Sequence, residues 1–128
     1  MSRLLTQRSE QALCGVHPEL VRVVRRALEL SPVDFIVIEG LRSQERQREL
    51  MQAGVSRTLK SRHLTGHAVD LAPWVNGTIP WNDWQAFTNV ALAMKSAAQE
   101  LNVSLVWGGD WKTFRDGPHF ELSREAYP

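Results

Sequence analysis

Cysteine is almost absent: Cys14 is the only one in 128 residues. A single thiol excludes an internal disulfide and any zinc site built on cysteines, and a reduced chain suits synthesis in the cytoplasm. An excess of charge of one sign is missing too. Lys and Arg number 15 against 14 Asp and Glu, a net charge of +1. The basic residues are dispersed among acids, with Arg22, Arg25 and Arg26 on one helical stretch and Arg42, Arg46 and Arg48 on another. No basic face emerges from that pattern, so no nucleic-acid partner is expected. Long apolar runs are lacking as well. Val90–Met94 is typical of the longest, far short of the ~20 residues of a membrane span. The N-terminal MSRLLTQRSEQALC has no apolar core of a secretory signal. Repeats, low-complexity tracts and Gly/Ser linkers are all missing, so residues 1–128 read as one domain able to bury its own core.

What is present alternates between helix and strand patterns. His17-Pro18-Glu19 opens a helix, with Pro18 suited to a first turn, and Ser31-Pro32 ends it. Asp34–Glu39 is a β-branched apolar run that reads as a buried strand. Gly40 turns the chain, Ser43 caps a helix to about Ala53, and Gly54 stops it. Residues 55–66 read as a loop, and His67–Ala72 alternates like a strand that Pro73 ends. After the turn at Asn76-Gly77-Thr78, Asn82 caps a long helix. Its Trp84, Phe87, Ala91, Met94, Ala98 and Leu101 form one apolar stripe, read as core. Val103–Trp107 is a strand, Gly108–Asp110 a turn and Pro118–Leu122 a last short strand. The pattern implies a small α+β domain with an antiparallel sheet packed against helices.

Chemistry concentrates in two places. The stretch SRHLTGHAVD, residues 61–70, holds His63, His67 and Asp70. His63 and His67 have the spacing of two ligands on one helical face, but the glutamate of an HExxH motif is absent and Gly66 favours loop into strand. In that geometry the two need not point the same way. An alternative pairs His63 with Asp70, since a carboxylate inside an apolar strand needs a partner or a metal; a salt-bridged aspartate would serve as well. The second place is Asp116-Gly-Pro-His119-Phe-Glu-Leu. Asp116 could be a turn residue beside Gly117-Pro118, or a carboxylate close to a metal ligand, as a general base requires. A Ser/His/Asp hydrolase would have only Ser61 as nucleophile, with no nucleophile-elbow pattern around it. His17, at a helix start, reads as a surface or capping residue.

Together the residues carry a resemblance. Ser61-x-His63-x-x-Gly66-x-Ala68-x-Asp70, followed by Asp116-x-x-His119, resembles the signature of zinc peptidoglycan peptidases. That family includes D-Ala-D-Ala carboxypeptidases and dipeptidases and the L-alanyl-D-glutamate peptidases of phage endolysins. The flanks agree: Glu39-Gly-Leu-Arg42-Ser with Gln47 and Leu50, Gly54-Val-Ser56, and Trp107-Gly-Gly-Asp-Trp111. The resemblance implies a hedgehog/D,D-peptidase-like fold with one Zn2+ per chain, held by His63, Asp70 and His119. It places Asp116 as catalytic acid/base, Arg42 beside the reacting carbonyl and Ser61 hydrogen-bonding near metal or substrate. His67 falls at a variable position, outside the ligand set. Aspartate at 116 favours the endolysin branch.

The implied activity is hydrolysis of a bond in the peptide stem of peptidoglycan, most simply L-alanyl-D-glutamate. A D-Ala-D-Ala carboxypeptidase or dipeptidase, and a zinc-bearing domain that holds cell wall without cutting it, are the rivals. An intact Asp116 counts against the last. The expected protein is a monomeric catalytic domain with no separate cell-wall-binding domain and no membrane insertion. It would be made in the cytoplasm of the bacterial host of a phage and reach the wall after release.

Overall fold

The computed structural model describes residues 4–56 and 61–128. Helix α1 (Gln7–Ala12) is capped by Thr6, whose hydroxyl accepts from the Ser9 amide. Six residues are too few to show a hydrophobic period, and the sequence reading does not contain this helix. Helix α2 (Pro18–Leu30) begins at His17, whose Nδ1 accepts from the Glu19 amide at 3.1 Å, so the expected capping role holds. Its Leu20, Val23, Val24, Ala27 and Leu28 are buried, spaced three and four apart along one face.

Strand β1 (Phe35–Glu39) leads to helix α3 (Gln44–Gln52), where the Ser43 side chain accepts from the Arg46 amide. Arg42 therefore precedes the helix rather than belonging to it. Residues 57–60 of the expected loop lie outside the described residues. Its last part, Arg62–Thr65, is a single 3-10 turn and not open loop. Ser61 caps that turn by accepting from the His63 amide, and Gly66 ends it at φ +76°. A Cβ at Gly66 would also lie 2.4 Å from the Gly15 carbonyl oxygen, so only glycine fits there.

Strand β2 (Ala68–Pro73) is followed by a hairpin in which Val75 and Thr78 bridge across Asn76-Gly77, as the turn residues require. Helix α4 (Trp84–Leu101) is capped by Asp83, not Asn82. The Asp83 carboxylate reaches the Ala86 amide three residues on, and its neighbour is one position too early to do so. Phe87, Ala91, Met94 and Ala98 of the expected stripe are buried, but Trp84 is 42% exposed. At the first turn of the helix it overhangs the sheet, stacked on Trp107 with Arg115 over its ring. Strands β3 (Leu105–Trp107) and β4 (His119–Leu122) flank a 3-10 turn at Gly108–Asp110.

The four strands form one antiparallel sheet in the order β1-β2-β4-β3. Strand alternation divides its faces. Phe35, Val37, Val69, Leu71, Phe120 and Leu122 join the core beneath α2 and α4. Asp70, His119 and Glu121 point to the other face. Direct pairing sets Asp70 opposite His119 and Ala68 opposite Glu121. A bulge between Val37 and Glu39 shifts β1 by one residue, placing Glu39 opposite Asp70. Regular alternation would have turned Glu39 into the core.

Candidate metal centre

Three elements bring His63, Asp70 and His119 together: the 3-10 turn, β2 and β4. One ligand atom from each lies within 4.8 Å of the others. His63 Nε2 is 3.3 Å and His119 Nδ1 3.5 Å from the same oxygen of Asp70, Oδ1. The opposite ring nitrogens are tied down. His63 Nδ1 is 2.9 Å from the Gly40 carbonyl oxygen, which can only accept, so this nitrogen carries a proton and leaves Nε2 to bind. Gly40 itself must be glycine, since a Cβ would lie 2.1 Å from the Ala12 carbonyl oxygen. His119 Nε2 donates to Glu121 Oε1 at 2.8 Å, leaving Nδ1 free toward Asp70.

Arg42 stands behind Asp70. Its guanidinium donates to both oxygens of Glu39, at 2.8 and 2.9 Å, and to Gln47 Oε1 at 2.7 Å. Nη2 lies 3.7 Å from Asp70 Oδ2, and Nη1 3.5 Å from the Ser61 hydroxyl. Only 8% of the Arg42 side chain is exposed, so it is a buried cation and not a solvated helix end. The Arg42 amide also donates to the His63 carbonyl, fastening the 3-10 turn to the end of β1. Ser61 accepts from His63 and Arg42.

Asp116 is fixed through its backbone: its amide donates to Gly108 O and its carbonyl accepts from the His119 amide. Burial raises its carboxyl above the usual range, and the nearby charge of Asp70 adds to this. Burial alone would raise Asp70 too, but hydrogen bonds from His119 and His63 hold it well below the ordinary aspartate range. For His119, burial opposes the charge, yet Asp70 and Glu121 outweigh it and push the ring up to about 9. The pocket thus calls for a cation. Asp70, Glu39 and Asp116 share the single guanidinium of Arg42, and Glu121 has the exposed Arg124 3.8 Å away. Two imidazole nitrogens and a carboxylate oxygen, converging with their other atoms fixed, suit a divalent transition metal such as zinc. The residues present fit such an ion.

The structure unites His63, Asp70, His119, Arg42 and Ser61 and sets Asp116 beside them. It separates His67, whose Nδ1 lies 2.7 Å from Thr65 Oγ1 and whose ring stands against His17. Glu121 is the residue sequence reasoning missed. A residue two positions along a strand from His119 shares its face, and that spacing was the available signal. Glu39 and Gln47 stood in the flanks of the motif without a role.

A sheet carrying a His/Asp/His cluster on one face and two helices on the other defines an α+β domain with a cluster that could hold a metal ion. Comparisons narrow the class. The family described as phage L-alanyl-D-glutamate peptidase matches residues 1–124. An L-alanyl-D-glutamate peptidase of Escherichia phage T5 is 42% identical over 130 residues, covering 99% of this chain and 94% of the phage protein. The peptidoglycan L-alanyl-D-glutamate endopeptidase CwlK of Bacillus subtilis is 30% identical over 111 residues, 70% of this chain and 61% of CwlK. Among solved structures, the L-Ala D-Glu endopeptidase ChiX of Serratia marcescens superposes with a TM-score of 0.91 at 53% identity, covering 97% of this chain and 92% of ChiX. The chain belongs to the phage L-alanyl-D-glutamate peptidase family.

Proposed function

We propose that this chain is a zinc-dependent peptidoglycan endopeptidase that hydrolyses the L-alanyl-D-glutamate bond of the peptide stem. The convergence of His63, Asp70 and His119 beside Asp116 carries this reading, together with the activity named for the relatives. His63 Nε2, Asp70 and His119 Nδ1 would hold the zinc. When bound, the ion supplies Lewis-acid polarisation of the scissile carbonyl and activation of water. Asp116 takes the proton released as water attacks and returns it to the departing amine of D-glutamate. Arg42, immobilised by Glu39 and Gln47, offers a fixed positive charge where the carbonyl oxygen becomes negative. Ser61 accepts from two groups, and among the described residues its own proton has no acceptor, so it is left to donate to substrate. The domain would act as a monomer, made in the host cytoplasm and reaching peptidoglycan after release. No described helix is long and apolar enough to cross a membrane.

Mass analysis of fragments from purified peptidoglycan tests the bond: new N-terminal D-glutamate is expected, and released D-alanine would move the activity to the carboxypeptidase branch. Elemental analysis should find one zinc per chain, and His119→Ala should lose it. Full retention in that variant would remove His119 from the ligands.

A further inference from the structure

We propose that Glu121 is the positioning residue of the metal centre, locking the His119 ring so that Nδ1 and not Nε2 faces the ion. The inference rests on the reading that the triad holds zinc. An imidazole offers either nitrogen to a metal, and a ring flip exchanges them. A main-chain carbonyl, Gly40 O, settles the matter for His63. For His119 the acceptor is a side chain, Glu121 Oε1 at 2.8 Å. Nothing in the strand requires a glutamate there. Its neighbours on the two adjoining strands are Ala68 and Val106, and the residue is 9% exposed. A carboxylate so placed is costly without a partner, and an apolar side chain would suit the sheet better.

Among the described residues three charged groups act on the Glu121 carboxylate: the His119 ring at 2.8 Å, Arg124, whose Nε is 3.8 Å from Oε2 on a side chain 67% exposed, and Arg62 at longer range. The close, buried partner is therefore His119. Ala68 helps by being small, leaving room for the longer side chain opposite it. Metal on Nδ1 withdraws electrons from the ring and strengthens the Nε2–H bond to the carboxylate. The carboxylate in turn makes Nδ1 a better donor. Zinc and Glu121 thereby stabilise each other's place, an effect that a plain structural ion pair lacks.

The test measures zinc affinity by competition with a chromophoric chelator, beside thermal unfolding of the metal-free protein. Glu121→Gln should weaken zinc binding by about 10–100-fold, a loss larger than any change in metal-free unfolding accounts for. Arg124→Ala should bind zinc like the parent. Glu121→Asp keeps the charge but is one methylene too short, and should also bind zinc less tightly. It stands in if the glutamine variant does not fold. Parent-like zinc affinity in the folded Glu121 variants overturns the proposal, as does a variant that lowers metal-free unfolding alone. A parent protein that takes up no zinc overturns the metal reading itself, and so separates the two failures.

Discussion

Asp70 and Asp116 share one pocket, and their partners divide the work between them. The Asp70 oxygens face His63, His119 and Arg42. Asp116 is held by its backbone, and among the described residues its carboxylate makes no hydrogen bond, which leaves it able to carry a proton. Asp116→Asn should keep zinc and fold while hydrolysis falls by roughly 10²–10⁴, the usual loss for a missing general acid/base. Near-parental turnover would return Asp116 to its turn. Arg42→Ala should lower kcat and kcat/KM together, by roughly 10²–10³, with KM little changed. It should also lower the melting temperature, because Glu39 loses its two-point partner. Arg42→Lys should restore only part of the rate, since a point charge cannot hold both Glu39 and Gln47. Unchanged stem-peptide hydrolysis in Arg42→Ala would make the guanidinium purely structural. These side chains were legible in the sequence because a motif spells them by type and spacing. Glu121 was not, because its meaning depends on which face of a strand it occupies.

At the scale of the element, caps and turns decide where the site residues stand. Helix α4 begins one residue later than its first asparagine suggests, since hydrogen bonding to the Ala86 amide requires the carboxylate of Asp83. Asp83→Ala should therefore cost about 1 kcal/mol in denaturant unfolding, and Asn82→Ala close to nothing. Equal losses would leave the cap assignment unsupported. The long helices and apolar strands were readable from period and composition. The 3-10 turn at Arg62–Thr65 was not: its polar residues show no period, and its shape comes from the Ser61 cap, Gly66 and the tie to Arg42. The β1 bulge was equally hidden, because a one-residue shift leaves no mark in an apolar run.

For the whole molecule, the strand order β1-β2-β4-β3 could not be deduced, since β2 must pass over α4 and β3 before it finds β4. Local propensity says nothing about such distant pairing. Zinc should bind the folded sheet and not the unfolded chain, so it should stabilise by mass action. Free zinc at 100 times its dissociation constant should add about 2.7 kcal/mol. Removing it with a chelator should abolish hydrolysis and lower the melting temperature, and added zinc should restore both. Equal melting temperatures with and without metal would contradict a site built across the sheet.

The pairing of Asp70 with His119 has a consequence for the timing of synthesis. A ribosome that has translated through β3 has made His63 and Asp70 but not Asp116 or His119, the third residue of the cluster. The unfinished chain lacks the complete His/Asp/His cluster however long translation stalls. Competence arrives in one step, when the last strand emerges and slots between β2 and β3. Under the proposed function, a protease cut that frees β4 should withdraw activity just as abruptly, so this build carries its own guard against acting as a fragment.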